Sequence, residues 1–336
     1  MSSRSEPDLS GKVAVVTGAT RGAGRAIAVE LGAAGATVFV AGRTTRTQQS
    51  EIGRSETIED TAELVDAAGG KGIAVRCDLT DPSDVEALAA RIDRLDIFVD
   101  NAWGGENLVE WGKFWEHDLD RQLRMWRNGV ESHLVAIHKL VPLVLKSDDG
   151  LVVEVTDGED GDAYFVNLPY DAVKSSVRRF GEVLAKDLKD HPNVTALAAT
   201  PGFLRSEQML EGFGVTEANW RDAIKDVPDY ALSETPHYLG RGIAHLAADG
   251  NRHRFAGQCL SSWKLKREYG FTDLDGSQPD WGRWYDELPG SDIPIYVATM
   301  KRLRDLPVTV VHAGHDPSFG RDRLRELCDA YMAKRA

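Results

Sequence analysis

Tyr170 and Lys174 stand four positions apart, a spacing that puts two side chains on one face of a helix. An ammonium beside a phenol favours the tyrosinate and lowers the phenol's pKa towards the working range. Such a tyrosine can give a proton to a carbonyl or take one from an alcohol. Taken alone, the pair is equally what an ordinary amphipathic helix carries. A second constellation gives it a partner. Val13–Gly24 reads Val-Ala-Val-Val-Thr-Gly-Ala-Thr-Arg-Gly-Ala-Gly, a strand running into a glycine-rich turn and then a helix. Gly18, Gly22 and Gly24 let backbone approach a pyrophosphate, and the helix behind them offers unpaired N–H groups. Together the two constellations suit hydride transfer between a nicotinamide dinucleotide and a small carbonyl or alcohol.

The second strand indicates which dinucleotide. An enzyme that takes NAD usually ends this strand with an acid that accepts from the ribose 2′-hydroxyl and would repel a 2′-phosphate. Here it ends Ala41-Gly42-Arg43. Arg43, and Arg21 inside the glycine turn, can both pair with phosphate. One exposed arginine is by default a solvated charge. Two at these places, with the acid missing, favour NADP(H).

The elements that must position these groups follow from the alternation of apolar runs and helical patterns. Val13–Val16, Thr37–Ala41, Ile73–Arg76, Leu95–Val99, Leu151–Val155, Val194–Ala199 and Gln258–Leu260 read as strands. Most lack polar alternation, as expected of strands covered on both faces. Asp81-Pro82 marks a helix start, with Val85, Leu88, Ala89 and Ile92 on one face. The pattern predicts an α/β fold, a doubly wound parallel sheet of about seven strands with helices on both faces. Residues 1–262 form this domain and 263–336 an extension. Thr44–Glu56 reads as an exposed loop near the cofactor. Ser206–Thr235 reads as a helical lid, Ser261–Leu288 as rich in aromatics and turn residues, and Ile293–Ala336 as helix, strand and helix.

Thr17–Gly24, Asp78 after the third strand, Asp100-Asn101-Ala102 after the fourth, Tyr170-x-x-x-Lys174, and Pro201-Gly202 with Ser206 fall in the order of the short-chain dehydrogenase/reductase family. The chain resembles that Rossmann-fold family over about residues 8–262. Gly104–Trp115, Asn167–Tyr170 and Glu268–Gly276 narrow the resemblance to the branch of dehydrogenase/reductase member 1. The resemblance implies cofactor contacts from Thr17, Gly18, Thr20, Arg21, Gly22, Gly24, Arg43, Asp78, Leu79, Asn101, Ala102, Tyr170, Lys174, Pro201 and Gly202. It gives Lys174 a second role on the nicotinamide ribose. It also implies homo-oligomers built through the helices ending near Lys146 and Lys189.

One departure stands out. Where the family has a catalytic serine about 13 residues before the tyrosine, this chain has Thr156-Asp157, with Asp157 at the serine's spacing. An ionised aspartate there would raise the phenol's pKa and repel an oxyanion. Three readings stand open: Thr156 supplies the hydroxyl, Asp157 is protonated or binds a polar substrate group, or catalysis is weakened. Asn128 is the candidate for the family's asparagine, but it equally suits a helix N-cap, and another alignment puts Glu131 there. Trp103, Tyr164, Phe203, Met209 and Phe213 lie in loops at strand ends and suggest a moderately apolar substrate.

Composition removes other functions. A net charge of −13 disfavours nucleic acid, whose phosphates would be repelled. No apolar run approaches the roughly 20 residues of a membrane span, and Met1–Lys12 is too polar for a signal peptide, so a cytoplasmic protein is expected. Cys77, Cys259 and Cys328 form no pair with metal-ligand spacing and read as buried thiols. The segment Leu306–Asp316 resembles the last part of metallo-β-lactamase-fold hydrolases, with His315 at a metal-ligand position. The main histidine cluster of those enzymes is missing, and a catalytic zinc needs about three protein ligands, so no metal site is expected. A non-catalytic NADP(H)-binding sensor or scaffold is the alternative to an enzyme.

Overall fold

The computed structural model describes residues 6–158, 167–283, 293–311 and 319–333. It divides into two compact units, the first ending at Gly282 and the second starting at Arg283. The first holds seven strands: β1 (Val13–Val16), β2 (Thr37–Gly42), β3 (Lys71–Arg76), β4 (Ile97–Asp100), β5 (Gly150–Val155), β6 (Val194–Thr200) and β7 (Cys259–Ser261). All pair in parallel, in the order β3-β2-β1-β4-β5-β6-β7. Order reverses between β1 and β4, and the crevice outside their carboxyl ends is where open sheets of this kind take ligands.

Side chains of successive strand residues alternate between the two faces, and each face is covered by helices. On one, Ala14, Val16, Val38, Val99 and Val153 pack with Ile27 and Leu31 of α1 (Gly22–Ala33), Ile58 and Val65 of α2 (Ile58–Ala67), and Leu239 and Ile243 of a helix over Pro236–Ala248. On the other, Val15, Phe39, Phe98 and Val152 meet Val85 and Leu88 of α3 (Pro82–Ala89) and Leu140 and Val144 from a later helix. Each such valine, leucine, isoleucine or phenylalanine contributes about 1.5–3 kcal/mol by leaving water. The start of α3 is as its sequence announces: Asp81 accepts from the Ser83 N–H at 2.9 Å with Pro82 behind it.

Between β4 and β5 the chain forms α4 (Leu119–Trp126), a π turn over Arg127–Glu131, and α5 (Ser132–Val144). Between β5 and β6 lies α6 (Leu168–Asp187), capped by Asn167, whose side chain accepts from the Tyr170 N–H at 2.9 Å. After β6, the expected helical lid has only α7 (Glu207–Gly212) and two short 3₁₀ segments, gathered round the buried Tyr230 by Phe203, Phe213 and Trp220. Next comes α8 (Pro236–Ala248).

The first unit continues past the expected boundary at residue 262. The aromatic stretch opens with a helix, α9 (Ser262–Tyr269), capped by Ser261 and ended by Gly270 at φ 83°. Leu265 and Phe271 join the core against α8, where Gly242 leaves room for both. Asp273 is buried and accepts from the Thr235 N–H and hydroxyl at the start of α8. The second unit pairs α10 (Ile293–Arg304) with α11 (Arg321–Ala333) through an Arg304–Asp329 ion pair at 2.6 Å, beside an antiparallel pair, β8 (Val310–Val311) and β9 (Phe319–Gly320). His312 and His315 lie outside the described residues, as does Tyr164. Among the described residues no helix is long and apolar enough to cross a membrane. Cys77 and Cys328 are buried, whereas Cys259 is only half-buried, because β7 is the edge strand.

Candidate active site

The glycine turn after β1 is shaped by contacts that leave no space for a side chain. Gly18 adopts φ 58°, and a Cβ there would stand 2.9 Å from the Ala102 Cα. At Gly24 a Cβ would stand 2.3 Å from the Gly18 carbonyl oxygen and 2.5 Å from Asn101 Nδ2. Thr17 ties this turn to the end of β4. Its hydroxyl donates to Asp100 Oδ1 at 2.6 Å and accepts from the N–H groups of Asn101 (2.9 Å) and Ala102 (3.2 Å). Asn101 Nδ2 reaches the Gly18 carbonyl at 3.3 Å. Asp100, the changed first residue of the resembled motif, is thus a buried acceptor for Thr17.

Cationic and donor groups around the turn each hold a carboxylate. The Gly22 N–H donates to Glu207 at 2.9 Å, Arg21 pairs with Glu106 at 3.0 Å, and Arg43 pairs with Glu51 at 2.7 Å. These are the atoms a helix N-terminus and two guanidiniums offer to anions. Thr20, Asp78 and Leu79 line the same cleft, with Asp78 accepting from the Thr80 N–H at 3.0 Å and hydroxyl at 2.8 Å. Thr44 and Thr45, expected in an exposed loop, are buried.

Tyr170 and Lys174 project from the first turns of α6 into the cleft. The Tyr170 hydroxyl donates to Asp157 Oδ2 at 2.6 Å. Thr156, in contrast, donates its hydroxyl to the Lys174 carbonyl at 2.6 Å. Of the two residues at the serine's place, the aspartate faces the phenol. Lys174 Nζ sits 4.3 Å from the centre of the Trp103 ring, which meets Tyr170 edge-on at 5.2 Å. Burial raises the pKa of Asp157, partly opposed by Lys174 and by the Tyr170 hydrogen bond. Burial likewise lowers that of Lys174, opposed by Asp157 and Glu106.

Asn128 lies in the π turn, where its Nδ2 donates to the Gly104 carbonyl at 2.8 Å and its own carbonyl accepts from Ser132 at 2.6 Å. The N-cap reading fails, because helix precedes and follows it. Glu131 is exposed and paired with Arg127 at 3.5 Å, away from the cleft lining. A π turn within a helix is common where function needs a locally widened backbone.

The cleft encloses about 1110 Å³, above the roughly 300–1,000 Å³ usual for one drug-sized ligand. Trp103, Phe203, Met209 and Phe213 line it as expected, with Pro201 and Gly202 after β6. Sequence reasoning missed Trp111, Trp263 and Trp281, which also line it. The last two come from the aromatic stretch after β7, whose composition was the available signal. It also missed His133 and Glu154, buried together at 2.7 Å. A glutamate inside the otherwise apolar β5 required such a partner.

A family model described as short chain dehydrogenase matches residues 12–213. The mouse protein "Dehydrogenase/reductase SDR family member 1" is 31% identical over 278 residues, covering 80% of this chain and 85% of its own. A short chain dehydrogenase structure from Mycobacterium thermoresistibile superposes with a TM-score of 0.67 at 21% identity, over 82% of this chain and 93% of that one. A Shigella flexneri structure of the same type, complexed with NADP, gives 0.62 at 20% identity, over 77% and 99%.

Proposed function

As the chain belongs to the short-chain dehydrogenase/reductase family, we propose that it interconverts a small carbonyl compound and its alcohol using NADP(H). The observation that carries this reading is the placing of Tyr170, Asp157 and Lys174 together in one cleft with the glycine turn. The cleft's donors fit the cofactor. Gly22 N–H, Arg21 and Arg43 already bind anionic oxygens, and Gly18 and Gly24 keep backbone bare where a pyrophosphate must come close. Arg43 at the end of β2, with no acid there, supports NADP(H) over NAD(H). A related fold is known with NADP bound.

The bound dinucleotide supplies the hydride in reduction and receives it in oxidation. Tyr170 gives its phenolic proton to the carbonyl oxygen, and the charge of Lys174 favours the tyrosinate left behind. In the reverse direction the tyrosinate removes the alcohol proton. Asp157 takes the place of the family's serine. In the neutral form that burial favours, its O–H gives the carbonyl oxygen a second hydrogen bond, as a buried carboxylic acid can. Thr156 supports Lys174 through its backbone carbonyl. Asn128 holds the Gly104 carbonyl beside Trp103. The aromatic walls suit a moderately apolar substrate.

Tyr170→Phe tests the reading. NADPH oxidation against a panel of aldehydes, ketones and quinones is expected in wild type and lost in the variant, with NADPH affinity retained. Tight NADPH binding by a wild type that turns over none of them would favour a sensor or scaffold instead.

A further inference from the structure

His133 lies in the first turn of α5, Asp100 ends β4, and Glu154 lies within β5; their side chains are 1%, 0% and 0% exposed. Nδ1 of His133 stands 2.7 Å from Glu154 Oε2 and 3.4 Å from Asp100 Oδ2, while Nε2 stands 2.9 Å from the Ala102 carbonyl oxygen. A carbonyl can only accept, so Nε2 carries a hydrogen. With Glu154 ionised, its carboxylate also only accepts, so Nδ1 carries the second hydrogen and the ring is an imidazolium. Asp100 Oδ2 and Glu154 Oε1 are buried with no hydrogen-bond partner among the described residues. Whatever charge the two carboxyls carry faces the ring, 2.7 Å (Glu154) and 3.4 Å (Asp100) from Nδ1.

The Ala102 peptide is gripped from both ends. Thr17 accepts from its N–H at 3.2 Å, and His133 donates to its carbonyl. The next residue is Trp103, whose ring meets Lys174 Nζ at 4.3 Å and Tyr170 at 5.2 Å. We propose that His133, as a cation between Glu154 and Asp100, is a positioning residue that fixes the Ala102 carbonyl and so the Trp103 ring against the Tyr170–Lys174 pair. The inference rests on the oxidoreductase reading of the same site. The charged groups of this cluster that face His133 are Asp100 from β4 and Glu154 from β5; the turn after β1 contributes the neutral Thr17. Burial alone would lower the pKa of His133, but the two carboxylates outweigh it and push it up to about 9. Burial raises Asp100, and pushes Glu154 up to about 7.

Glu154→Gln removes a charge without changing shape. Once His133 is neutral, only the Nε2–H tautomer keeps the Ala102 bond, with Nδ1 accepting from the new amide N–H at position 154; the Nδ1–H tautomer, which donates to Asp100 or to that amide's oxygen, gives the Ala102 bond up. The ring nitrogens of His133 are followed by NMR, kcat is measured against pH with a carbonyl the wild type reduces, and the NADPH Kd is measured alongside. Wild type is expected to show both ring nitrogens protonated at neutral pH. In Glu154→Gln the ring titrates at lower pH, and kcat falls by up to about tenfold through that same pH, tenfold being the worth of one buried hydrogen bond. Limbs set by Asp157 or Lys174 stay in place, and the NADPH Kd changes less than kcat does. If Glu154→Gln does not fold, Glu154→Asp, which draws the carboxylate back, should move both curves in the same direction. A neutral His133 in wild type, a kcat profile unmoved by the substitution, or a divalent metal bound stoichiometrically by the three side chains would overturn the proposal. A wild type with no carbonyl turnover would instead overturn the oxidoreductase reading and this inference with it.

Discussion

Replacing Asp157 with serine restores the residue the family places beside the tyrosine, and the geometry fixes the direction of the result. The Tyr170 hydroxyl donates to Asp157 Oδ2 at 2.6 Å. When the carboxyl is ionised, reduction must break this charge-assisted bond before the phenol can turn to a substrate. Bonds to charged groups contribute about 1.5–3 kcal/mol, so the ionised form should reduce a carbonyl roughly 10–100-fold more slowly. Burial raises the Asp157 pKa above its ordinary value of 3.8. The carboxyl is therefore neutral below the raised value and inhibitory above it, and wild-type reduction should fall as pH rises through that value. In Asp157→Ser the acid that titrates is gone. The expected outcome is a rate equal to wild type at low pH and roughly 10–100-fold higher on the alkaline side, measured as NADPH oxidation under saturating substrate. An Asp157→Ser enzyme that is slower at every pH would refute this reasoning, because the carboxylate would then be required as a base.

Two further outcomes follow from the cofactor end of the cleft. Arg43→Ala removes the guanidinium at the end of β2 and should weaken NADPH binding by about tenfold or more while leaving NADH little changed; equal losses for both would show that Arg43 does not meet the 2′-phosphate. Glu207→Gln keeps the shape of the side chain on the Gly22 N–H but removes its charge. NADPH should bind several-fold more tightly to that variant, and calorimetry showing weaker binding would count against competition at this N–H.

The parts of this architecture that depend on local signals could be read from the chain. The glycine turn, the Asp81-Pro82 helix start and the apolar β runs are each set by a few neighbouring residues, and each appears where expected. What escaped depends on contacts between distant segments. Leu265 and Phe271 look like loop residues until Gly242 of α8 is seen to admit them. Asn128 could be an N-cap or a cleft residue by sequence, because a π turn has no composition of its own. Asp157 has the serine's spacing and Thr156 is the other source of a hydroxyl, but that Thr156 turns to the Lys174 carbonyl and Asp157 to the phenol depends on how α6 packs on the end of β5. His133 and Glu154 are 21 positions apart, and only the pairing of β4 with β5 brings Glu154 to the same place as Asp100.

The carboxylates of Glu51, Glu106 and Glu207 have a consequence for how a cofactor is admitted. A dinucleotide that enters this cleft meets tethered competitors rather than bare cations. Each acid is held by its own backbone at a local concentration that no dilution reduces. The observed affinity is then a difference between two anions' fit to the same donors. Added salt weakens both sides of that exchange, so affinity should respond less steeply to ionic strength than the number of arginines suggests. Because Glu207 opens α7, whose residues also line the cleft, the anion that displaces it undoes a tie between that helix and the Gly22 N–H.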